Sequence, residues 1–176
     1  MEDRTAEKAA LRRRMRLLRD VIDDQVLRSV QLWASVAELP AYAAARRVMA
    51  YASIAGEPDT DGLHARLARD GKELVLPRMR GGAIEPALAG ERLARGELGI
   101  AEPTGATVDP ASIDLVIVPG VAFTLAGDRL GRGKGHYDRF LAGVSCPTVG
   151  VCFAEQVVDT LPTTTHDVRV GAVLAG

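Results

Sequence analysis

The sequence predicts an α/β fold, three α/β/α layers around a mostly parallel central sheet, and two patterns carry that prediction. Residues 48–76 read strand, turn, helix, strand, a βαβ-like unit whose crossover builds parallel sheet. Ile113 to Val118 is a short, almost unbroken apolar run, rich in β-branched residues and closed by Pro119-Gly120, as expected of a central strand covered on both faces. Length agrees: 176 residues, 47% hydrophobic and 26% charged, suit one globular domain spanning 1–176 that needs neither disulfides nor a structural metal to build its core.

The elements follow in order. Leu11, Met15, Leu18 and Ile22 fall four, three and four apart, which predicts a helix from about Thr5 to Ile22. The rest of that helix carries Lys8, Arg12, Arg13, Arg14, Arg16 and Arg19, either a solvated face or an anion-binding one. Asp23 or Asp24 caps a second helix with Val26, Val30, Trp33 and Val36 or Ala37 on its buried side, ending near Pro40. Val48 to Ser53 is a buried strand, followed by the Gly56-Glu57-Pro58-Asp59-Thr60 turn, a helix to Asp70 with Gly71 just beyond its end, and a strand from Glu73 to Leu76. Residues 79–110, broken repeatedly by Gly and Pro, read as mostly loop with a short strand near Ile84. After the central strand come a Gly-rich basic loop, a short helix from about Tyr137 to Ala142, a strand over Thr148–Cys152, a helical turn at Glu155–Val158, and a last strand from Arg169 to Leu174.

Composition excludes several functions. A formal net charge of −1 and pI near 6.3 lack the electrostatic footprint of a nucleic-acid or anionic-membrane binder. No apolar run reaches the roughly 18 residues of a membrane span, and the charged start Met1-Glu2-Asp3-Arg4 does not read as a secretory peptide. Cys146 and Cys152 have neither a second pair nor a His at ligand spacing, so the expected setting is reduced and cytoplasmic.

Chemistry concentrates in Gly127-Asp128-Arg129-Leu130-Gly131-Arg132-Gly133-Lys134-Gly135. Glycines at 131, 133 and 135 let backbone N–H groups close on an anion, Arg and Lys supply charge between them, and a helix begins directly after: a phosphate cradle. It is neither a P-loop, since Asp128 stands where Gly is needed and Gly135 where Ser or Thr is, nor a dinucleotide turn, since His136 stands where Gly is needed. Asp138 can hold a magnesium ion bridging phosphate oxygens or can simply favour the helix start. Asp167 is a second such carboxylate or a turn residue. Glu57, just past the first strand, either accepts hydrogen bonds from a heterocyclic ligand or is an exposed loop residue. His64 and His166 read as surface and turn residues. His136, beside the cradle, can stack, donate a hydrogen bond or face water.

Taken together these pieces resemble the 5-formyltetrahydrofolate cyclo-ligase (methenyltetrahydrofolate synthetase) family over almost the whole chain. The carriers are Lys8-x-x-x-Arg12, Tyr51-Ala52-Ser53-Ile54-x-Gly56-Glu57-Pro58-Asp59-Thr60, Leu76-Pro77-Arg78, Gly99-Ile100-x-Glu102-Pro103, and Val118-Pro119-Gly120-Val121-Ala122-Phe123 continuing to Arg129 through Lys134-Gly135-x-Tyr137-Asp138, with Leu161-Pro162 to His166-Asp167-Val168 at the end. The resemblance implies an ATP- and Mg²⁺-dependent enzyme that converts 5-formyltetrahydrofolate into 5,10-methenyltetrahydrofolate with release of ADP and phosphate. It further implies ATP contacts from Lys8, Arg12, Arg129, Arg132, Gly133, Lys134, Gly135 and Tyr137, with Arg132 and Lys134 catalytic; Mg²⁺ at Asp138 and Asp167; and folate contacts from Ala52, Glu57 and His136. Expected partners are ATP and a reduced folate, with no nucleic acid or membrane, in a monomer. The chain departs from many relatives at His136, where they carry Tyr, at Met79 and Leu98, where they carry aromatics, and at Gly171, where they carry Asp. These changes touch the folate half and leave the ATP half intact. The alternatives are a paralogue acting on another small formyl or amide compound and a nucleotide-binding module without turnover.

Overall fold

The computed structural model describes residues 2–90, 92–96 and 99–176. The chain runs α1 (Glu2–Arg19), α2 (Gln25–Ala37), α3 (Pro40–Ala44), β1 (Arg47–Met49), α4 (Asp61–Arg69), β2 (Glu73–Arg80) and β3 (Ala83–Leu88). It continues with β4 (Leu93–Arg95), β5 (Ala101–Pro103), β6 (Leu115–Pro119), β7 (Ala122–Phe123), β8 (Arg129–Leu130), α5 (His136–Leu141), β9 (Thr148–Cys152) and β10 (Ala172–Ala175). One six-stranded sheet has the order β10-β9-β6-β1-β2-β3. Every pairing in it is parallel except the β2–β3 hairpin.

β6 is the central strand that its composition predicts, and its alternation splits the core in two. Leu115 and Ile117 face a cluster with Trp33 and Val36 of α2 and Leu63 and Leu67 of α4. Val116 and Val118 face the opposite cluster, with Phe123 and, on α5, Leu141. Helices on both faces make the three layers. α1 instead lays Met15 on Val121, Ala122 and Leu130, the residues that carry the β7–β8 ribbon. Because that ribbon leads straight into the Gly-rich loop, α1 is packed onto the loop's base. No helix among the described residues is long and apolar enough to cross a membrane.

Two expectations need correction. Residues 79–110 are not mostly loop: β2 extends to Arg80, turns at Gly81-Gly82 and returns as β3, and Leu93–Arg95 pairs with Ala101–Pro103. Gly81 and Gly82 break the apolar pattern, yet their φ values of 54° and 79° are those of a two-residue hairpin turn. Pro77 faces Pro86 across the hairpin, a pairing that fits the ladder at a non-hydrogen-bonded position, where neither missing N–H is required. Leu98 lies outside the described residues.

The second correction concerns α2, whose buried face is Ser29, Leu32, Trp33 and Val36, whereas Val26 and Val30 are 70% and 58% exposed. Ser29 holds a core position because its hydroxyl donates to the Gln25 carbonyl at 2.6 Å and accepts the Asp59 N–H at 3.0 Å, while Trp33 Nε1 donates to the Asp59 carbonyl at 2.6 Å. A polar residue that fastens the 57–60 loop thus takes the place that hydrophobic spacing assigns to valine. Asp24 stands at the N-cap with φ 53°, and its side chain makes no capping bond.

Candidate functional site

In an open parallel sheet, ligands collect at the carboxyl ends of strands where the strand order reverses. Here the chain leaves β1 toward β2 on one side and later places β6 on the other, so the reversal lies between β1 and β6. The segments after these two strands, residues 50–60 and 120–135, diverge from that point. Between them opens a cavity of about 390 Å³. Ala52, Ile54, Met79, Ile84 and Ile100 give it an apolar side, and Arg129, Arg132, Lys134, His136, Tyr137 and Asp138 a polar one.

Glu57 stands where the two sides meet. Its side chain is 8% exposed; Oε2 accepts the Ile54 N–H at 3.2 Å and Oε1 accepts from Arg132 at 2.9 Å. The loop carrying it is fixed from below: Thr60 and Ser53 exchange hydrogen bonds, and the half-buried ring of His64 holds the Tyr51 carbonyl at 3.0 Å. His64 is therefore not the surface residue its position on a helix suggests, and burial lowers its pKa. His166 is exposed, in a turn, as expected.

The cradle's cations differ in freedom. Arg129, with a side chain only 3% exposed, pairs with Asp138 at 2.8 Å and lies over the Tyr137 ring at 5.6 Å. Arg132 is half exposed, and Lys134 is exposed with no ion pair among the described residues. Burial, with help from nearby Glu57, raises the Tyr137 pKa far above its ordinary value against the opposing charge of Arg129, so the phenol is a neutral donor at pH 7. Its hydroxyl and Nε2 of His136 are buried without a hydrogen-bond partner among the described residues. Unpaired buried polar atoms are costly, and two that line one cavity can take their partners from a ligand. The other ring nitrogen of His136 meets the Gly82 carbonyl at 2.9 Å, where Arg139 also donates at 3.0 Å, so the hairpin tip is tied to the start of α5.

Lys8, Arg12, Gly133 and Asp167 do not line this cavity. They gather where α1 meets the cradle and the 163–168 segment. Arg12 Nε donates to the Gly131 carbonyl at 2.8 Å, and its guanidinium lies 3.3 Å from where a Cβ on Gly133, at φ 106°, would stand. Lys8 bonds both Asp167 oxygens, at 2.8 and 2.6 Å. Burial pushes the Asp167 carboxyl up, but Lys8 and the Thr164 donors outweigh it and leave the pKa below its ordinary value. The Val168 N–H reaches Asp138 Oδ1 at 3.3 Å, which brings the two aspartates to neighbouring positions.

Among the described residues no group of three His, Cys, Asp or Glu side chains gathers as a metal cage. Mg²⁺ needs only one or two carboxylates when phosphate oxygens and water complete its octahedron. Asp138 fits, because Oδ1 takes Arg129 and Val168 and leaves Oδ2 without a hydrogen bond among the described residues. Asp167 fits less directly, since Oδ2 already accepts three donors and Oδ1 one.

Sequence reasoning missed two residues. Glu102 on β5 lines the cavity and accepts the Met79 N–H at 3.2 Å, a link invisible without the hairpin. Arg19, 8% exposed, donates to the Gly120 carbonyl at 2.6 Å. The signal for Arg19 was present: Lys8, Arg12, Met15 and Arg19 repeat at four, three and four, one face of α1 turned inward.

Residues 4–176 match the sequence model of the 5-formyltetrahydrofolate cyclo-ligase family. The 5-formyltetrahydrofolate cyclo-ligase of Escherichia coli is 34% identical over 77% of this chain and 80% of its own length. That of Saccharomyces cerevisiae is 29% identical over 97% and 96%. The solution structure of Aquifex aeolicus 5,10-methenyltetrahydrofolate synthetase superposes with a TM-score of 0.85 at 34% identity, covering 96% of this chain and 89% of that one. The Mycoplasma pneumoniae 5,10-methenyltetrahydrofolate synthetase, at 22% identity and TM-score 0.77 over 95% and 97%, shares the fold. Matched by the family model over residues 4–176 and by relatives 34% identical over most of its length, this chain belongs to the 5-formyltetrahydrofolate cyclo-ligase family.

Proposed function

We propose that the protein uses ATP and Mg²⁺ to convert 5-formyltetrahydrofolate into 5,10-methenyltetrahydrofolate. Besides family membership, one observation carries this reading: the phosphate cradle and the apolar pocket are two sides of one cavity, joined by the Arg132–Glu57 pair. Such a site brings a phosphoryl group against a heteroaromatic ring.

The formamide oxygen is a poor leaving group. Transfer of the γ-phosphoryl onto it breaks the bond to ADP and makes a phosphate ester that can leave; N10 then attacks the formyl carbon, loses its proton and closes the ring as phosphate departs. Positioning and charge neutralisation dominate such a transfer. Lys8 and Arg12 on α1, with Arg129, Gly133, Gly135 and Tyr137, hold the ATP phosphates. Lys134 and Arg132, the two cations with freedom to move, neutralise the transferring group, Arg132 by exchanging Glu57 for phosphate. Asp138, with Asp167 beside it, would hold Mg²⁺, which when bound would supply charge neutralisation at the phosphates. Glu57 accepts hydrogen bonds from the pterin edge, His136 presents its unpartnered Nε2, and Ala52 lines the ring pocket.

Mixing the purified protein with Mg-ATP and 5-formyltetrahydrofolate while following the near-ultraviolet absorbance of the methenyl product tests this. Product that requires both ATP and Lys134, read against Lys134→Ala, is the expected result. ATP binding without product would overturn the folate assignment in favour of another small formyl or amide substrate, the alternative that Met79 and His136 in the pocket suggest.

A further inference from the structure

We propose that Arg19 is a positioning residue for the folate side of the cavity, the fixed countercharge beneath Glu57 when Arg132 turns to phosphate; this rests on the function proposed above. α1 ends on Arg19, and the side chain runs under the loop that carries Glu57. A Cβ on Gly56 would stand 3.0 Å from Arg19 Cδ and 3.1 Å from its Cβ, so the loop lies directly on the arginine stem. At the far end Nη2 donates to the carbonyl of Gly120, the residue that follows β6 and lines the cavity. Arg19 thus spans the two segments that diverge at the reversal of strand order.

An arginine that is 8% exposed, with Nε buried and unpartnered among the described residues, requires compensating charge nearby. Burial lowers its pKa, the carboxylate of Glu57 opposes that most strongly, and Arg132 adds to it. The phenols of Tyr51 and Tyr137 beside Glu57 are kept neutral by burial, while of the other cations on this cavity Arg129 is already paired with Asp138 and Lys134 is exposed. Once Arg132 leaves, and with Arg129 held by Asp138, Arg19 is the buried cation beneath this loop that stays. It cannot follow, being tied to its helix and to Gly120, whereas Arg132 is half exposed. One charge is therefore permanent and one exchangeable.

A double-mutant cycle tests this on the purified protein, with 5-formyltetrahydrofolate and ATP as the titrants and turnover measured beside binding. Arg19→Gln is expected to raise the folate KM about tenfold while the ATP Kd stays within about twofold, and in a Glu57→Gln background the same substitution is expected to change folate affinity less than about twofold. Arg19→Lys should recover most of the loss. Arg19→Met, which keeps the stem under Gly56 and removes the charge, carries the same expectations where the Gln variant does not fold. Equal losses with and without Glu57, or a parallel loss of ATP affinity, would overturn the inference and leave Arg19 a structural residue. A wild-type protein inactive on 5-formyltetrahydrofolate would overturn the proposed function, and this inference with it.

Discussion

Arg129→Met is expected to cost stability and turnover together, whereas Lys134→Ala, five residues along the same loop, is expected to cost turnover alone. The Arg129 side chain is 3% exposed and its ion pair with Asp138, itself 18% exposed, spans 2.8 Å. Removing the cation leaves Asp138 with the Val168 N–H, at 3.3 Å, as its remaining donor among the described residues. Breaking one side of a buried pair costs about 3–5 kcal/mol. The residual exposure of Asp138 and that backbone donor reduce this to roughly 2–3 kcal/mol, and at about 2–4 °C per kcal/mol for a chain of this size the melting midpoint should fall by roughly 5–10 °C. Lys134 is exposed and without an ion pair among the described residues, so its removal should move stability by less than about 0.5 kcal/mol. Each variant loses a cation that the proposed function sets on phosphate, Arg129 on the ATP phosphates and Lys134 on the transferring group, each costing about 10²–10³ in kcat. Thermal unfolding followed by circular dichroism, with kcat from the methenyl absorbance, separates the two. A wild-type midpoint for Arg129→Met would refute the reasoning about the buried pair. Undiminished turnover in Lys134→Ala would remove that residue from the transfer step.

Glu57→Gln should weaken 5-formyltetrahydrofolate binding by roughly tenfold or more, by loss of a charged acceptor, and leave ATP affinity intact because Arg132 is released rather than removed; calorimetric titration of each ligand checks this. Backbone N–H groups of Arg47 and Arg46 hold the Asp114 carboxyl below its ordinary 3.8. Its contribution to stability is therefore complete above that value and lost as pH falls through the lower folded one, so Asp114→Asn should lower the melting midpoint at neutral pH and flatten its decline below about pH 4. Gly150→Ala, whose new methyl would overlap the fully buried Phe123 ring, should destabilise by about 1–3 kcal/mol in a urea titration without changing the folate KM of the folded fraction.

Much of this protein was legible before any coordinates. β6 and the βαβ unit stand out because a strand buried on both faces must be apolar throughout and a crossover must be punctuated by turn residues, both local demands on composition. The cradle was equally plain, since close backbone approach to an anion requires glycine and charge within a few residues. Where reading failed, a distant partner had changed the meaning of a residue. Ser29 is polar at a core position because it holds Asp59, thirty residues on. Gly81 and Gly82 look like breakers until β2 and β3 are seen as two arms of one hairpin.

The sequence by itself determined the fold class, the place of the central strand and the residue types of the cradle, because periodicity and turn chemistry act over a few positions. Only the tertiary structure decided which cation meets which carboxylate. Lys8 with Asp167, Arg129 with Asp138 and Arg132 with Glu57 are paired across 159, 9 and 75 residues. It likewise decided that Arg19 lies under Gly56 rather than in water. Such pairings depend on how α1, the β1 loop and the cradle pack at one end of the sheet. Charge acts through space, and the distances that set its strength exist only once the chain has folded.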